Sequence, residues 1–211
     1  MARDRQVVAR LLDAAGTTYA NDAGITLRDK PMPLFKLLSL CMLASKPIAA
    51  TTAVSAAREL FRAGLRTPSA VLKADRRTMI AAFGRAGYAR YDESSATRMR
   101  RIATRVNDEY GGDLRNLRVR AHHDVTAAHK ALQEFDGIGQ TGADIFLREI
   151  QDVWTWAQPY FDERALGAAK ALGLPADAHQ LGGLAPKHNA RLAAALVRAS
   201  LDDGLRRRVA T

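Results

Sequence analysis

The sequence predicts an all-α protein, and three observations predict it. Apolar residues recur at helical spacing along nearly the whole chain, glycine, proline and short polar side chains mark where these stretches start and stop, and no run alternates as a half-buried strand would. Val7 to Ala15 is a short amphipathic stretch, and Tyr19 to Met32 reads as a polar connection. Pro33 opens a helix carrying Leu34, Leu37, Leu38, Cys41 and Met42, which ends near Lys46-Pro47 because a residue before proline resists helical geometry. Thr51 or Thr52 is placed to cap the next helix, which passes Glu59 and Phe61 and stops at Gly64. Thr67-Pro68 starts another, and Asp75 caps one through Met79 and Phe83. Gly84 and Gly87 punctuate the chain before a basic amphipathic helix from Ser94 to Tyr110, stopped by Gly111-Gly112. Further helices cover Thr126 to Phe135 and Thr141 to Ile150, then one begins at Asp162 and ends at Gly173 and Pro175. The last runs from Pro186 or Lys187 to Leu201, with a basic tail at Arg206 to Arg208.

Composition narrows the partners. With 211 residues and 47% hydrophobic content, the chain has enough material for a buried core. Its 32 basic and 22 acidic side chains leave a net charge of +10, which suits nucleic acid or an anionic membrane; a surface of solvated arginines is the plain alternative. The longest apolar run, Leu34 to Ala50, is interrupted by Lys36, Lys46 and Pro47, so no membrane span is expected. The beginning of the sequence mixes Arg3, Asp4, Arg5 and Arg10 with apolar residues, unlike a signal peptide. A single cysteine, Cys41, is read as a buried small side chain in a reducing, cytoplasmic protein.

The most specific segment runs from Leu132 to Asp144, where Gly137 and Gly139 bracket Ile138 between two helices. The glycines admit backbone conformations closed to other residues and remove side chains from the surface. Ile138 plugs the turn into the helix pair beneath. The amides of the turn and of the following helix then face outward, where a phosphate oxygen can sit. Gly137, Ile138, Gly139, Gln140, Thr141 and Gly142 are therefore candidate phosphate contacts. The structural alternative is an αα-hairpin whose glycines only stop a helix; the flanking Phe135 and the small Ala143 favour the binding reading.

Residues from about 30 to 175 resemble the endonuclease III-type helix-hairpin-helix superfamily of DNA glycosylases. The hairpin carries the resemblance, together with Pro33 to Leu38 as the opening helix, Ala44-Ser45-Lys46 as a turn facing the minor groove, Ala86-Gly87-Tyr88 in the middle segment, and Tyr160-Phe161-Asp162 as an apolar lead-in to an aspartate. It implies one two-lobed helical unit over residues 1–211. About 34–135 would form the central lobe, 126–150 the helix-hairpin-helix, and 1–33 with 151–211 the second lobe. It also implies a monomer that binds double-stranded DNA and hydrolyses the N-glycosidic bond of a damaged or mismatched base.

In that reading Asp162 is the catalytic carboxylate. Breaking the bond between base and sugar builds positive charge on the sugar, which a fixed carboxylate stabilises. The base must first swing out of the duplex. By position alone Asp162 is a helix N-cap, and the two roles are compatible. The enzymatic reading requires its carboxyl group to be open to a nucleotide extruded from DNA held at the glycine turn. Glu149 and Asp152 read as surface charges.

The sequence departs from the family in three places. Thr141 stands where bifunctional relatives carry a Schiff-base lysine, so a lyase step is not expected. Lys46 stands where the family often has a glutamine that probes the vacated base site. One cysteine cannot hold the superfamily's iron–sulfur cluster, so no cofactor is expected beyond a monovalent cation at the hairpin carbonyls when DNA is bound. Arg98 and Arg101 supply candidate phosphate contacts. Trp154, Trp156, Tyr160 and Tyr88 are candidate walls for a flipped base, with the core as the alternative for each. His122, His123 and His129 lack the companion ligands of a zinc site. The rival reading is a helix-hairpin-helix protein that binds DNA without catalysis.

Overall fold

A computed structural model describes residues 2–210, and among these every regular element is helical. The helices are α1 (Ala2–Ala15), α2 (Tyr19–Asp22), α3 (Pro31–Ala44), α4 (Ala50–Arg62), α5 (Pro68–Lys73), α6 (Arg76–Arg85) and α7 (Asp92–Tyr110). They continue with α8 (Asn116–Arg120), α9 (Val125–Gln133), α10 (Gln140–Ile150), α11 (Glu163–Ala171), α12 (Ala178–Leu184), α13 (Asn189–Leu201) and α14 (Asp203–Ala210). Single 3-10 turns occupy Ala89–Tyr91 and Thr155–Ala157. No helix among the described residues is long and apolar enough to cross a membrane.

Several boundaries differ from the sequence expectation for local reasons. Pro31 rather than Pro33 begins α3, and both prolines fall in the first turn, where a missing amide breaks no helical bond. Ala49, not Thr51 or Thr52, is the N-cap of α4, and it makes no side-chain cap bond. Gly84 lies inside α6, whereas Gly87 takes a positive φ of 68° just beyond it. The basic tail is helical because Leu205 and Val209 give α14 an apolar face to bury. Helices α2, α8 and α12 were not expected, being too short for a periodic pattern to register.

The chain divides into two compact units: Met1–Tyr19 with Leu147–Thr211, and Ala20–Phe146. The divisions fall at 19/20 and 146/147 rather than at 33/34 and 150/151. Lys36 Nζ donates to Gly24 O at 3.2 Å, and Asp29 pairs with Arg118, so residues from 20 onward belong with α3 and α8. Conversely, Glu149 accepts the Tyr19 amide at 3.2 Å, tying the end of α10 to the terminal unit.

In the terminal unit α1, α11, α13 and α14 pack their apolar faces together around Val7, Leu11, Ala165, Ala169, Leu192, Leu196 and Val209. Arginines close this unit through backbone carbonyls. Arg10 Nε donates to Val209 O at 3.0 Å, Arg191 Nε to Gly16 O at 2.8 Å, and Arg3 reaches Leu172 O and Gly173 O at 3.4 Å. Part of the positive charge is therefore structural.

The central unit is organised on α3, whose residues from Leu37 to Leu43 are buried without interruption. A helix apolar on all sides must be enclosed, and α4 and α7 pack against it. Helix α7 also carries α5 and α6, leaving its arginine-bearing side to face the hairpin turn, where Arg98 and Arg101 pair with Asp136.

Candidate nucleic-acid interface

The hairpin forms between α9 and α10 in the central unit. Asp124 caps α9 by accepting the Ala127 amide at 2.7 Å. Beyond α9 the Ile138 amide donates to Phe135 O at 3.0 Å, and Ala143 N donates to Gly139 O at 3.0 Å as α10 begins. Phe135 is buried and its ring stacks on Tyr110 at 5.5 Å, while Ile138 is buried as the plug. Gly137 has a φ of 83°, a left-handed conformation that strains other residues. Gly139 does not share it: its φ is not positive, and a Cβ there would meet nothing within 4 Å. The expectation that both glycines serve unusual backbone angles holds for Gly137 alone. Gly142 is different again, since a Cβ would lie 2.4 Å from Ser45 Oγ and 2.9 Å from Ile138 Cγ2. Close approach of α10 to the Ser45-Lys46 turn requires a glycine there.

This packing brings together residues distant in sequence. Ser45, Lys46, Arg98 and the turn from Gln133 to Thr141 line one open cavity of about 520 Å³. Gln140 and Thr141 are exposed at the start of α10, where the first amides have no carbonyl of their own helix to bond. Lys46 makes no ion pair among the described residues; its Nζ lies 5.6 Å from the centre of the Tyr91 ring. Arg98 passes over the turn so closely that a Cβ on Gly137 would sit 2.6 Å from its Cδ. Its Nε is 3.6 Å from Asp136, and its Nη1 is buried without a hydrogen-bond partner. Arg101 pairs with the same Asp136 at 2.9 Å, so two guanidinium groups share one carboxylate and a positive charge is left over. Glu134, the other acid at the turn, is held by Arg105 at 2.6 Å.

Asp162 belongs to the terminal unit and is 8% exposed. As N-cap of α11 it accepts the Ala165 amide on Oδ1 at 2.8 Å, and its Oδ2 accepts a hydrogen bond from Nη1 of the buried Arg148. Gln151 sets up this pairing: its amide donates to Tyr160 O at 2.8 Å and its oxygen accepts the Tyr160 amide at 2.8 Å, clamping the lead-in to the end of α10. The Tyr19 ring lies between Arg148 and Arg198, at 6.0 and 4.8 Å from their guanidinium carbons. Both carboxylate oxygens of Asp162 are therefore engaged inside the protein, which differs from the open carboxylate that the enzymatic reading requires.

The aromatic candidates divide. Trp154 and Tyr88 are core residues, not pocket walls: Trp154 is 1% exposed and Tyr88 2% exposed. Tyr88 donates to Leu43 O at 3.3 Å, and burial pushes its hydroxyl pKa up. Trp156 stacks on Trp154 at 5.4 Å, and Tyr160 is half-buried with its backbone held by Gln151. The surface-charge reading of Glu149 is also corrected, since it is 2% exposed. His129 pairs with Asp144 at 2.9 Å. No cluster of three or more His, Cys, Asp or Glu side chains placed to hold a metal occurs among the described residues. A monovalent cation would depend on turn carbonyls, of which those of Phe135 and Gly139 already accept amides.

No family model matches the chain, and no curated protein sequence does. Residue roles therefore rest on the geometry described above.

Asp152 is exposed, as a surface charge should be, but it also has hydrogen-bond partners within the protein. It accepts the Ala190 amide at the start of α13 at 3.3 Å and the Gln158 amide at 2.9 Å, and desolvation outweighs these bonds to raise its pKa above 3.8. A carboxyl group whose folded-state pKa is raised holds its proton in the native state where the unfolded chain has already lost it. Its contribution is thus lost as pH rises from the ordinary carboxylate range through the raised value. Asp152→Asn should make the slope of stability against pH more positive in that window while keeping an oxygen acceptor. Denaturant unfolding at a series of mildly acidic pH values checks this, and identical slopes for the two proteins would refute it.

Proposed function

We propose that the protein binds duplex DNA by gripping one strand's phosphates at the hairpin, and that it does so without cleaving the N-glycosidic bond. The observation that carries the binding reading is the convergence of Lys46, Arg98 and the start of α10 on a single cavity. These are the donors that a phosphate needs: backbone N–H groups, a mobile ammonium and a guanidinium. The surplus of ten positive charges supports a polyanionic partner of this kind.

The Arg148–Asp162 pair argues against catalysis through that aspartate. The positive charge that Arg148 supplies to the carboxylate is the charge an oxocarbenium-like sugar would have to supply during base excision. In the proposed reading Asp162 joins α10 to α11 and caps the latter.

Fluorescence anisotropy with a labelled duplex tests the binding. Gly139→Glu adds a carboxylate in front of the α10 amides at a position with free space for a side chain, so it should sharply weaken binding and leave the fold intact. Lys46→Ala should weaken binding equally on all sequences and lower the slope of log K against log salt by about 0.9. Undiminished binding by Gly139→Glu would reject the hairpin as the interface. Duplexes carrying uracil, hypoxanthine, alkylated or oxidised bases and mismatches should yield no alkali-labile product. Product that vanishes in Asp162→Asn would instead establish the glycosylase.

A further inference from the structure

The central unit carries a second cationic cavity, of about 420 Å³, that shares no residue with the hairpin cavity. Lys36 from α3, Arg58 and Arg62 from α4, and Arg66 from the following turn line it, with Met32 and Phe61 as an apolar wall; no acidic side chain does. Arg58 and Arg62 stand four residues apart and so share a helix face. The nearest acid on that helix, Glu59, is turned to Arg62 and to Arg85, and bonds from Arg85 and then Arg62 hold its carboxyl below the usual range.

The cations are held in place from below. Lys36 donates to Gly24 O at 3.2 Å with its Nζ 4.6 Å from the Phe61 ring centre, and Arg66 Nε donates to Phe61 O at 2.7 Å. Arg58 is exposed and makes no ion pair among the described residues. Like charges crowded around a half-enclosed space repel, and an anion placed among them relieves the repulsion. Burial, with Arg66 adding to it, pulls the Lys36 ammonium pKa down.

We propose that this cleft is a second anion site that takes a phosphate-bearing ligand, with the guanidinium forks of Arg58, Arg62 and Arg66 on phosphate oxygens and Lys36 behind them. Arginine forks match the spacing of phosphate oxygens, which favours phosphate over a simple carboxylate. The phosphate can come from a free oligophosphate or from a nucleic-acid backbone. The site does not depend on the hairpin reading, because the two share no lining residue.

Calorimetric titration with inorganic tripolyphosphate at low ionic strength tests the proposal, run on the full chain and on Gly139→Glu, in which the added carboxylate opposes anions at the hairpin. Gly139→Glu should retain one saturable site of about millimolar affinity or tighter. Arg58→Glu in that background should lose affinity about tenfold or more, because it reverses an unpaired charge at the rim. Arg62→Gln gives an independent check and should lose part of the affinity. In the same background, displacement of tripolyphosphate by duplex DNA identifies the backbone as the source, and failure to displace it identifies a free oligophosphate. Absence of saturable binding, or equal binding by Arg58→Glu, would overturn the assignment.

Discussion

Arg148→Met is expected to destabilise the protein by about 3–5 kcal/mol, the cost of leaving a buried charge without its partner. Arg148 and Asp162 have side chains only 3% and 6% exposed, so neither can turn to solvent when the other is removed. Asp162→Asn keeps a capping oxygen for the Ala165 amide but strands the guanidinium, and Asp162→Ala removes the cap as well, adding about 1 kcal/mol. The double variant Arg148→Met, Asp162→Asn should recover much of the loss, since it leaves no unpaired charge and an amide still suits the N-cap. Urea unfolding of the parent, Arg148→Met, Asp162→Asn and the double variant measures the coupling. A loss below about 1 kcal/mol in Arg148→Met would show the carboxylate to be only loosely committed, well short of a buried pair. The aspartate would then be free to act on a sugar, and the non-catalytic reading would fall.

The same pair shows where sequence reasoning reached its limit. The hairpin was legible because its determinants are local: a glycine with positive φ, an aliphatic plug and an aromatic residue all lie within a few positions of one another. Asp162 was legible as a cap for the same reason. Its partner was not, because their meeting depends on Gln151 clamping Tyr160, a contact that no local pattern encodes. Nor did the helical pattern mark Arg148 for burial, because Thr141, Asp144 and Arg148 lie at i, i+3 and i+7 on one polar face of α10. The aromatic cluster failed differently: Trp154 lies in the core because large rings fill interiors more often than they line binding sites. The second cationic cavity was half visible, with Arg58 and Arg62 on one helix face, but Lys36 joins them only through the packing of α3 on α4.

Gly142→Leu is expected to cost about 3 kcal/mol or more, beyond the range of ordinary overpacking, and to abolish DNA binding in what remains folded. The first atom of any side chain at this position would overlap Ser45 Oγ and press on Ile138 Cγ2. Ser45 Oγ swings aside only by giving up its hydrogen bond to Cys41 O at 2.7 Å, and the buried Ile138 still stands in the way. Relief must come from moving α10 away from the Ser45-Lys46 turn, which opens the cavity and separates Lys46 from the helix amides. Gly142→Ala should show the milder form of the same effect. The overlap opposes a gain in helix propensity of up to about 1 kcal/mol, so stability changes little while affinity for duplex falls. Gly142→Ala with Ser45→Ala should regain affinity in part, because one of the two obstructing atoms is gone. Gly139→Ala is the control: with open space at its Cβ and no left-handed backbone, it should leave stability and binding near those of the parent. If Gly142→Ala binds DNA as the parent does, close contact between α10 and the lysine turn is not what assembles the phosphate site, and the grip must lie elsewhere on the protein.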